Sequence, residues 1–352
     1  MRAVLFHRHG GIEELKLEEV PTPAPGPGDV QVRVAACALN HLDLWVRRGI
    51  PGAKLPLPHV TGADVAGTVA AVGAGVRHVK PGDAVVLNPG CSCGHCRDCL
   101  TGRDNYCRTY GLLGEIRWGG LAEYVVAPAA NAVPAPAGVA PVTLAAVPTT
   151  YLTAWQMLFD RGRLRPGETV LVLAAGAGVG VAAIQLCKLG GATVIAAAST
   201  DAKLTRAAAE GADHLVNYAT QDLVAEVRRL TGKRGVDFVF EHTGAATWPQ
   251  SILCAARGGR IATCGATSGY DARTDLRYVF SKQLTIIGST MGAKGRLFDL
   301  VALLTAGRIR PVIDRTMPLA EAATAQRLLE ERQVFGKIVL QPRDATARTT
   351  RG

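Results

Sequence analysis

Glu168-Thr-Val-Leu-Val-Leu-Ala-Ala-Gly-Ala-Gly-Val-Gly180 decides how this chain folds. The run from Glu168 to Leu173 reads as a buried strand, and Val179 to Leu189 then shows helical spacing. Between them lies a turn made only of Ala and Gly. Small residues at such a turn let the backbone approach a pyrophosphate, whose charge is favoured at a helix N-terminus. The strict G-x-G-x-x-G has softened to Ala175-x-Ala177-x-x-Gly180, with Gly176 and Gly178 as further small residues. Ala175, Gly176, Gly178, Val179 and Gly180 are therefore assigned to a dinucleotide. An Ala/Gly loop can also serve packing alone; the strand-loop-helix context, together with a cysteine cluster upstream, carries the assignment.

Outward from this loop, Thr193-Val-Ile-Ala-Ala197 is a second strand and Lys203 to Glu210 a helix. NAD would ask for Asp or Glu at the end of that strand, to hold the ribose 2′-hydroxyl. The strand ends instead in Ala198-Ser199-Thr200, with Lys203 one turn on. Hydroxyls and a cation suit a 2′-phosphate, so NADP(H) is favoured. Asp201 comes three residues late and reads as a cap or a solvent-facing acid. Val236–Phe240, Arg260–Cys264 and Leu284–Ile287 continue the series of strands. Strands alternating with helices predict an α/β fold with a doubly wound parallel sheet over residues 151–290. Thr243, Gly244, Gly265 and Ser289 fall after its strands or near the carboxyl end of the sheet, where a nicotinamide sits. Tyr218 is placed in the same cofactor site.

The first 130 residues read differently. Val30-Gln-Val-Arg-Val34, Ala66–Val72 and Ala84–Leu87 are short strands separated by turns such as Pro25-Gly26-Pro27-Gly28 and Pro81-Gly82-Asp83. A β-rich domain is expected over residues 1–150. Beyond residue 290 come a helix, a strand near Pro311-Val-Ile313, another helix and the strand Lys337-Ile-Val-Leu340, with a polar tail over 343–352 expected to be disordered. No internal repeat is seen.

Cys93-x2-Cys96-x2-Cys99-x7-Cys107 puts four thiols within fifteen residues. Zinc prefers four soft ligands in a closed tetrahedron, and short C-x-x-C steps let a tight loop wrap it. One structural zinc is expected in a lobe over residues 91–107, with Cys91 outside the spacing and Arg97, Arg103 and Arg108 near enough to offset negative charge. The formal net charge is +10, but no run of five or six like charges appears. The basic residues read as solvated surface, so a nucleic-acid face is not expected. The start, MRAVLFHRHG, has no apolar core after its charges, and no apolar stretch approaches the ~18 residues of a membrane span. With a clustered metal-type cysteine motif, a cytoplasmic protein without membrane association is expected.

Together, the cysteine lobe, Gly119-Gly-Leu-Ala-Glu-Tyr124, the Ala174–Gly180 loop and Phe335-Gly-Lys-Ile-Val-Leu340 resemble the medium-chain dehydrogenase/reductase superfamily over residues 1–341. The resemblance implies a GroES-like catalytic domain over residues 1–150 and 291–352, split around a Rossmann domain, 151–290, and a homodimer or homotetramer acting on a small-molecule substrate. Its zinc alcohol dehydrogenases hold a catalytic zinc through a Cys, the His of a Gly-His-Glu segment, and a later Cys or Asp. The matching positions carry Asn40, Gly62-Ala63-Asp64 and Pro148-Thr149-Thr150, and the hydroxyl that relays the alcohol proton corresponds to Leu42. The pattern is similar to the quinone oxidoreductase and enoyl reductase branch, which implies reduction of quinones or α,β-unsaturated carbonyls without catalytic zinc. His41 matches a family position on the cofactor pyrophosphate. Asn40, His59 and Asp64 are the candidate catalytic residues. Asn40 either donates to a substrate oxygen or bonds its own turn; His59 either takes part or is a structural histidine beside Pro58; Asp43 and Asp64 brace the region. The alternative is an alcohol or aldehyde dehydrogenase with a metal held by His41, His59 and Asp64.

Overall fold

The computed structural model describes residues 1–52 and 54–342; the polar tail at 343–352 lies outside the described residues. The chain forms two compact units: Met1–Thr149 with Ala293–Thr305 and Ile313–Gly352, and Thr150–Gly292 with Ala306–Val312.

The first unit is built on a seven-stranded, mostly antiparallel sheet. Its order is Ile313–Pro318, Lys337–Gln341, Asp29–Ala38, Asp64–Val72, Ala84–Leu87 and Ala132–Pro134, and Tyr124–Pro128 also pairs with Asp29–Ala38. Val30, Val32 and Val34 point into the core while Arg33 faces solvent, the period-2 alternation expected of a half-buried strand. The register does the positioning. Ala38 lies opposite Asp64 on one side and Val339 on the other. The chain just beyond Ala38, the start of strand 64–72 and the start of strand 337–341 are thereby brought to one corner.

The second unit carries a six-stranded parallel sheet in the order His214–Asn217, Thr193–Ala198, Thr169–Val172, Val236–Glu241, Ala255–Thr263 and Thr285–Gly288. The strand order reverses beside Thr169–Val172, so that strand's carboxyl end opens on the crevice where such sheets bind ligands. Two features differ from the sequence expectation. Strand 214–217 is additional; it is a four-residue edge strand with Leu215 exposed, too short and too polar to show a period. Residues 306–312, expected with the first unit, belong to the second, because Gln185 clasps Arg310: its Oε1 accepts from the Arg310 N–H at 2.9 Å and its Nε2 donates to the Arg310 carbonyl at 2.8 Å. Among the described residues no helix is long and apolar enough to cross a membrane.

Candidate functional site

The four cysteines of the lobe converge. Cys93 Sγ and Cys99 Sγ are 3.8 Å apart, Cys96 Sγ and Cys99 Sγ 3.5 Å, and all four sulfurs lie within 4.8 Å of one another. A tetrahedron with Zn–S bonds of about 2.3 Å sets its sulfurs about 3.8 Å apart, so the cluster fits zinc. Backbone N–H groups of His95 and Cys96 hold the Cys93 thiol below its usual range, which favours the thiolate a metal requires. Cys91 is turned away, donating to the Pro89 carbonyl, and burial pushes its thiol up. Of the expected arginines, Arg103 is committed to Asp98 at 2.9 Å.

In the second unit, the turn after strand 169–172 passes through Ala174 at φ +43° and enters helix Gly178–Leu189 with Ala177 as N-cap and no side-chain cap. A helix start without a side-chain cap leaves its first N–H groups for a ligand. Ala175 lies buried in the turn, its N–H on the Ala197 carbonyl at 3.0 Å. A Cβ on Gly180 would stand 2.7 Å from the Ala174 carbonyl, so only glycine lets helix and turn pack this closely. The turn is held from behind by His242, whose Nε2 lies 2.8 Å from the Leu173 carbonyl. Glu241 beside it is wholly buried and accepts four hydrogen bonds, from the N–H groups of Thr243 (2.6 Å) and Gly244 (3.1 Å) and the hydroxyls of Thr247 (2.8 Å) and Ser251 (2.6 Å). A buried carboxylate so satisfied fixes the turn that carries Thr243.

Among the described residues of this unit, Thr243 Oγ1, after strand 236–241, and Ser289 Oγ, after strand 285–288, are side-chain oxygens buried with no partner. Orphaned hydroxyls at the carboxyl end of a parallel sheet fit the polar carboxamide of a nicotinamide. Gly265 follows strand 255–263, and its carbonyl accepts from the Thr263 hydroxyl at 3.3 Å. Thr200 Oγ1 caps helix Asp201–Ala209 by accepting from the Lys203 N–H, 3.3 Å. Asp201 faces solvent as expected and accepts from Asn217 Nδ2 at 2.7 Å. Ser199 and Tyr218 are half-buried near this helix start, the Tyr218 N–H on the Ala198 carbonyl.

The corner of the first unit holds a closed network. Lys337, 5% exposed, donates from Nζ to the Leu39 carbonyl (2.6 Å), Asn40 Oδ1 (2.6 Å) and Asp64 Oδ2 (3.1 Å). Asp64, wholly buried, takes Asn40 Nδ2 on Oδ2 at 2.9 Å and, on Oδ1, the N–H and hydroxyl of Thr149 at 2.9 and 2.6 Å. Asp43 accepts from the N–H groups of Asn40 (2.7 Å) and Gly62 (2.8 Å), and burial pushes its carboxyl up to about 6. Asn40 thus makes side-chain contacts beyond its own turn: Oδ1 is taken, and one N–H is taken. Its second N–H, 3.5 Å from the Ala38 carbonyl, is only loosely held.

His59 stands outside this network. It is wholly buried, with Nε2 3.1 Å from the Gly114 carbonyl and its ring edge-on to Phe6, and burial lowers its pKa. Its contacts are those of a core histidine. His41 begins helix His41–Arg48, half-buried with its ring beside Trp45. His41, His59 and Asp64 do not converge as metal ligands: among the described residues the one group of three or more His, Cys, Asp and Glu ligand atoms close enough together is the cysteine cluster. Sequence reasoning missed Lys337, Thr149, Glu241 and His242 as site-builders. A lysine opening the apolar strand Lys337-Ile-Val-Leu340, and the pair Glu241-His242 ending one, were signals of buried charge in need of partners.

Residues 26–137 match the alcohol dehydrogenase GroES-like domain, and residues 178–306 the zinc-binding dehydrogenase domain. A zinc-type alcohol dehydrogenase-like protein of Schizosaccharomyces pombe is 32% identical over 97% of this chain and 99% of its own length. A solved NAD-dependent alcohol dehydrogenase is 54% identical, with a TM-score of 0.94 over 97% of this chain and 99% of that one. A solved crotonyl-CoA carboxylase/reductase in complex with NADP is 27% identical, with a TM-score of 0.90 over 97% and 94%. The likeness runs the length of both units, and the chain belongs to the medium-chain dehydrogenase/reductase superfamily: it is an oxidoreductase.

Proposed function

We propose that this oxidoreductase uses NADPH to reduce quinones or α,β-unsaturated carbonyls, and that it works without a catalytic zinc. The observation that carries the reading is the donor set at the three ligand positions of the resembled alcohol dehydrogenases. Ala63 has no donor atom, Asn40 presents its oxygen to Lys337, and Thr149 spends its hydroxyl on Asp64. A catalytic zinc needs three protein ligands and an open position, and these residues do not fit it. A conjugated acceptor needs no Lewis acid, because the double bond is already activated.

NADPH, when bound, would supply a hydride for the β-carbon of the acceptor; the C=C pair would then shift to the bond between the α-carbon and the carbonyl carbon, the C=O pair would move onto the oxygen, and a proton from water would go to the α-carbon. The chain's own part is to bind and orient. Ser199, Thr200 and Lys203 receive the 2′-phosphate; the N–H groups of Gly176, Gly178, Val179 and Gly180 receive the pyrophosphate, a role the family resemblance also gives His41; Thr243 and Ser289 receive the carboxamide beside Gly265. The loosely held N–H of Asn40 donates to the developing oxyanion. The NADP-bound crotonyl-CoA carboxylase/reductase among the relatives supports this reading.

The relatives named as alcohol dehydrogenases favour a second reading, alcohol or aldehyde dehydrogenation. One experiment separates the two: NADPH oxidation against quinones, enones, enoyl thioesters and aldehydes, alongside alcohol oxidation, with metal content measured on the same sample. Reduction of a conjugated acceptor at one zinc per chain is the expected result. Robust oxidation of simple alcohols, abolished by a chelator that leaves the lobe zinc in place, overturns the reading.

A further inference from the structure

We propose that Lys337 is a positioning residue of the active site: its ammonium fixes the orientation of the Asn40 amide, and so decides which way Asn40 can donate. This role rests on the reading of Asn40 as the oxyanion donor. An ammonium has three N–H donors and no acceptor. All three are used, on the Leu39 carbonyl, Asn40 Oδ1 and Asp64 Oδ2, at 2.6, 2.6 and 3.1 Å, and the side chain is 5% exposed. Lys337 therefore has nothing left to offer a substrate and acts through its partners.

An asparagine amide has two orientations related by a half-turn about its terminal bond. In one, Oδ1 faces Lys337 and Nδ2 faces Asp64; in the other, N–H groups oppose the ammonium and the amide oxygen opposes a carboxylate. The second sets donor against donor and acceptor against acceptor in a buried site, and is excluded on that ground. The ammonium and carboxylate, 3.1 Å apart, thus form a polar vice whose only fit leaves one amide N–H on Asp64 and the other merely 3.5 Å from the Ala38 carbonyl. That second N–H, on a half-buried residue, is the donor available to a developing oxyanion. Thr149 completes the vice from behind by filling Asp64 Oδ1. Without Lys337 the amide oxygen loses its donor, the orientation is left to Asp64 alone, and Asp64 loses its cation.

The test is a double-mutant cycle on kcat with Asn40→Ala and Lys337→Met, using whichever carbonyl substrate the enzyme turns over. Lys337→Met should lower kcat by at least ~10-fold, within the ~10²–10³-fold expected for Asn40→Ala, and leave the Kd for NADPH unchanged. The double variant should be no slower than Asn40→Ala alone, because residues acting as a unit do not add. If Lys337→Met does not fold, Lys337→Gln supplies the same arm: it keeps polarity and a donor but not the charge. Multiplying losses in the double variant, full activity in Lys337→Met or Lys337→Gln, or an inert Asn40→Ala overturns the proposal. The functional reading fails elsewhere, when no quinone, enone or enoyl thioester is reduced.

Discussion

Protonating an imidazole with no exposed surface would put a charge where water cannot reach it, and that cost is what lowers the pKa of His59 below its ordinary 6.5. In the unfolded chain the same ring titrates near 6.5, so acid favours unfolding: the unfolded state binds the extra proton. The stability this residue contributes is present above pH 6.5 and is lost as the pH falls below it. His242, buried behind the dinucleotide turn, is lowered for the same first reason and adds to the effect. We expect the melting temperature to fall on acidification below pH 6.5. In His59→Gln, which keeps a donor for the Gly114 carbonyl but cannot titrate, the fall should be shallower. Parallel curves for the two proteins, from calorimetry across this range, would contradict the account. The same burial explains why His59 is no partner to Asn40 and Asp64: a sequence shows a histidine's chemistry, and only the packing shows whether that chemistry can meet a substrate.

The cysteine lobe is an element with little core of its own. Between Cys93 and Cys107 the backbone makes only the four-residue helix Arg97–Leu100 and the short turn Asp104–Tyr106, and Leu100 and Tyr106 stand exposed. So little apolar burial cannot order fifteen residues, whereas structural zinc contributes folding energy directly. Cys107→Ser is expected to take the zinc content from one per chain to none and to lower the melting temperature; a zinc-free protein that melts like the native one would refute a structural role. This element was legible because metal spacing is local. So were the long apolar strands 169–172, 193–198 and 236–241, whose residues repeat a pattern set by their own burial. Strand 214–217 was not, since a short edge strand buries too little to leave a period. Nor could local pattern show that Arg310 would be clasped by Gln185, which fixes where segment 306–312 belongs.

At the scale of the whole molecule, a ligand that binds only the folded protein stabilises it by mass action, by about 2.7 kcal/mol at a hundred times its Kd. If Ser199, Thr200 and Lys203 receive a 2′-phosphate, NADPH should raise the melting temperature more than NADH at equal concentration. Lys203→Ala should close the gap by weakening NADPH binding about 10- to 100-fold, since a charge-assisted contact is worth roughly 1.5–3 kcal/mol. Equal shifts for the two cofactors in the native protein would refute the preference. The sequence made both units and most of the dinucleotide turn readable, yet left the Asn40 corner half-read. Asn40, Ala63 and Asp64 stand out as departures from a known pattern, while Thr149 and Lys337 matter only through partners far along the chain. Lys337 follows Asn40 by 297 residues and Asp64 by 273. On a ribosome, then, the whole of the dinucleotide-binding unit is translated before this corner can close, and until strand 337–341 emerges the carboxylate of Asp64 has no cation. This corner is therefore among the late-closing parts of the first unit, its Asn40 and Asp64 side waiting on a lysine made more than 270 residues later.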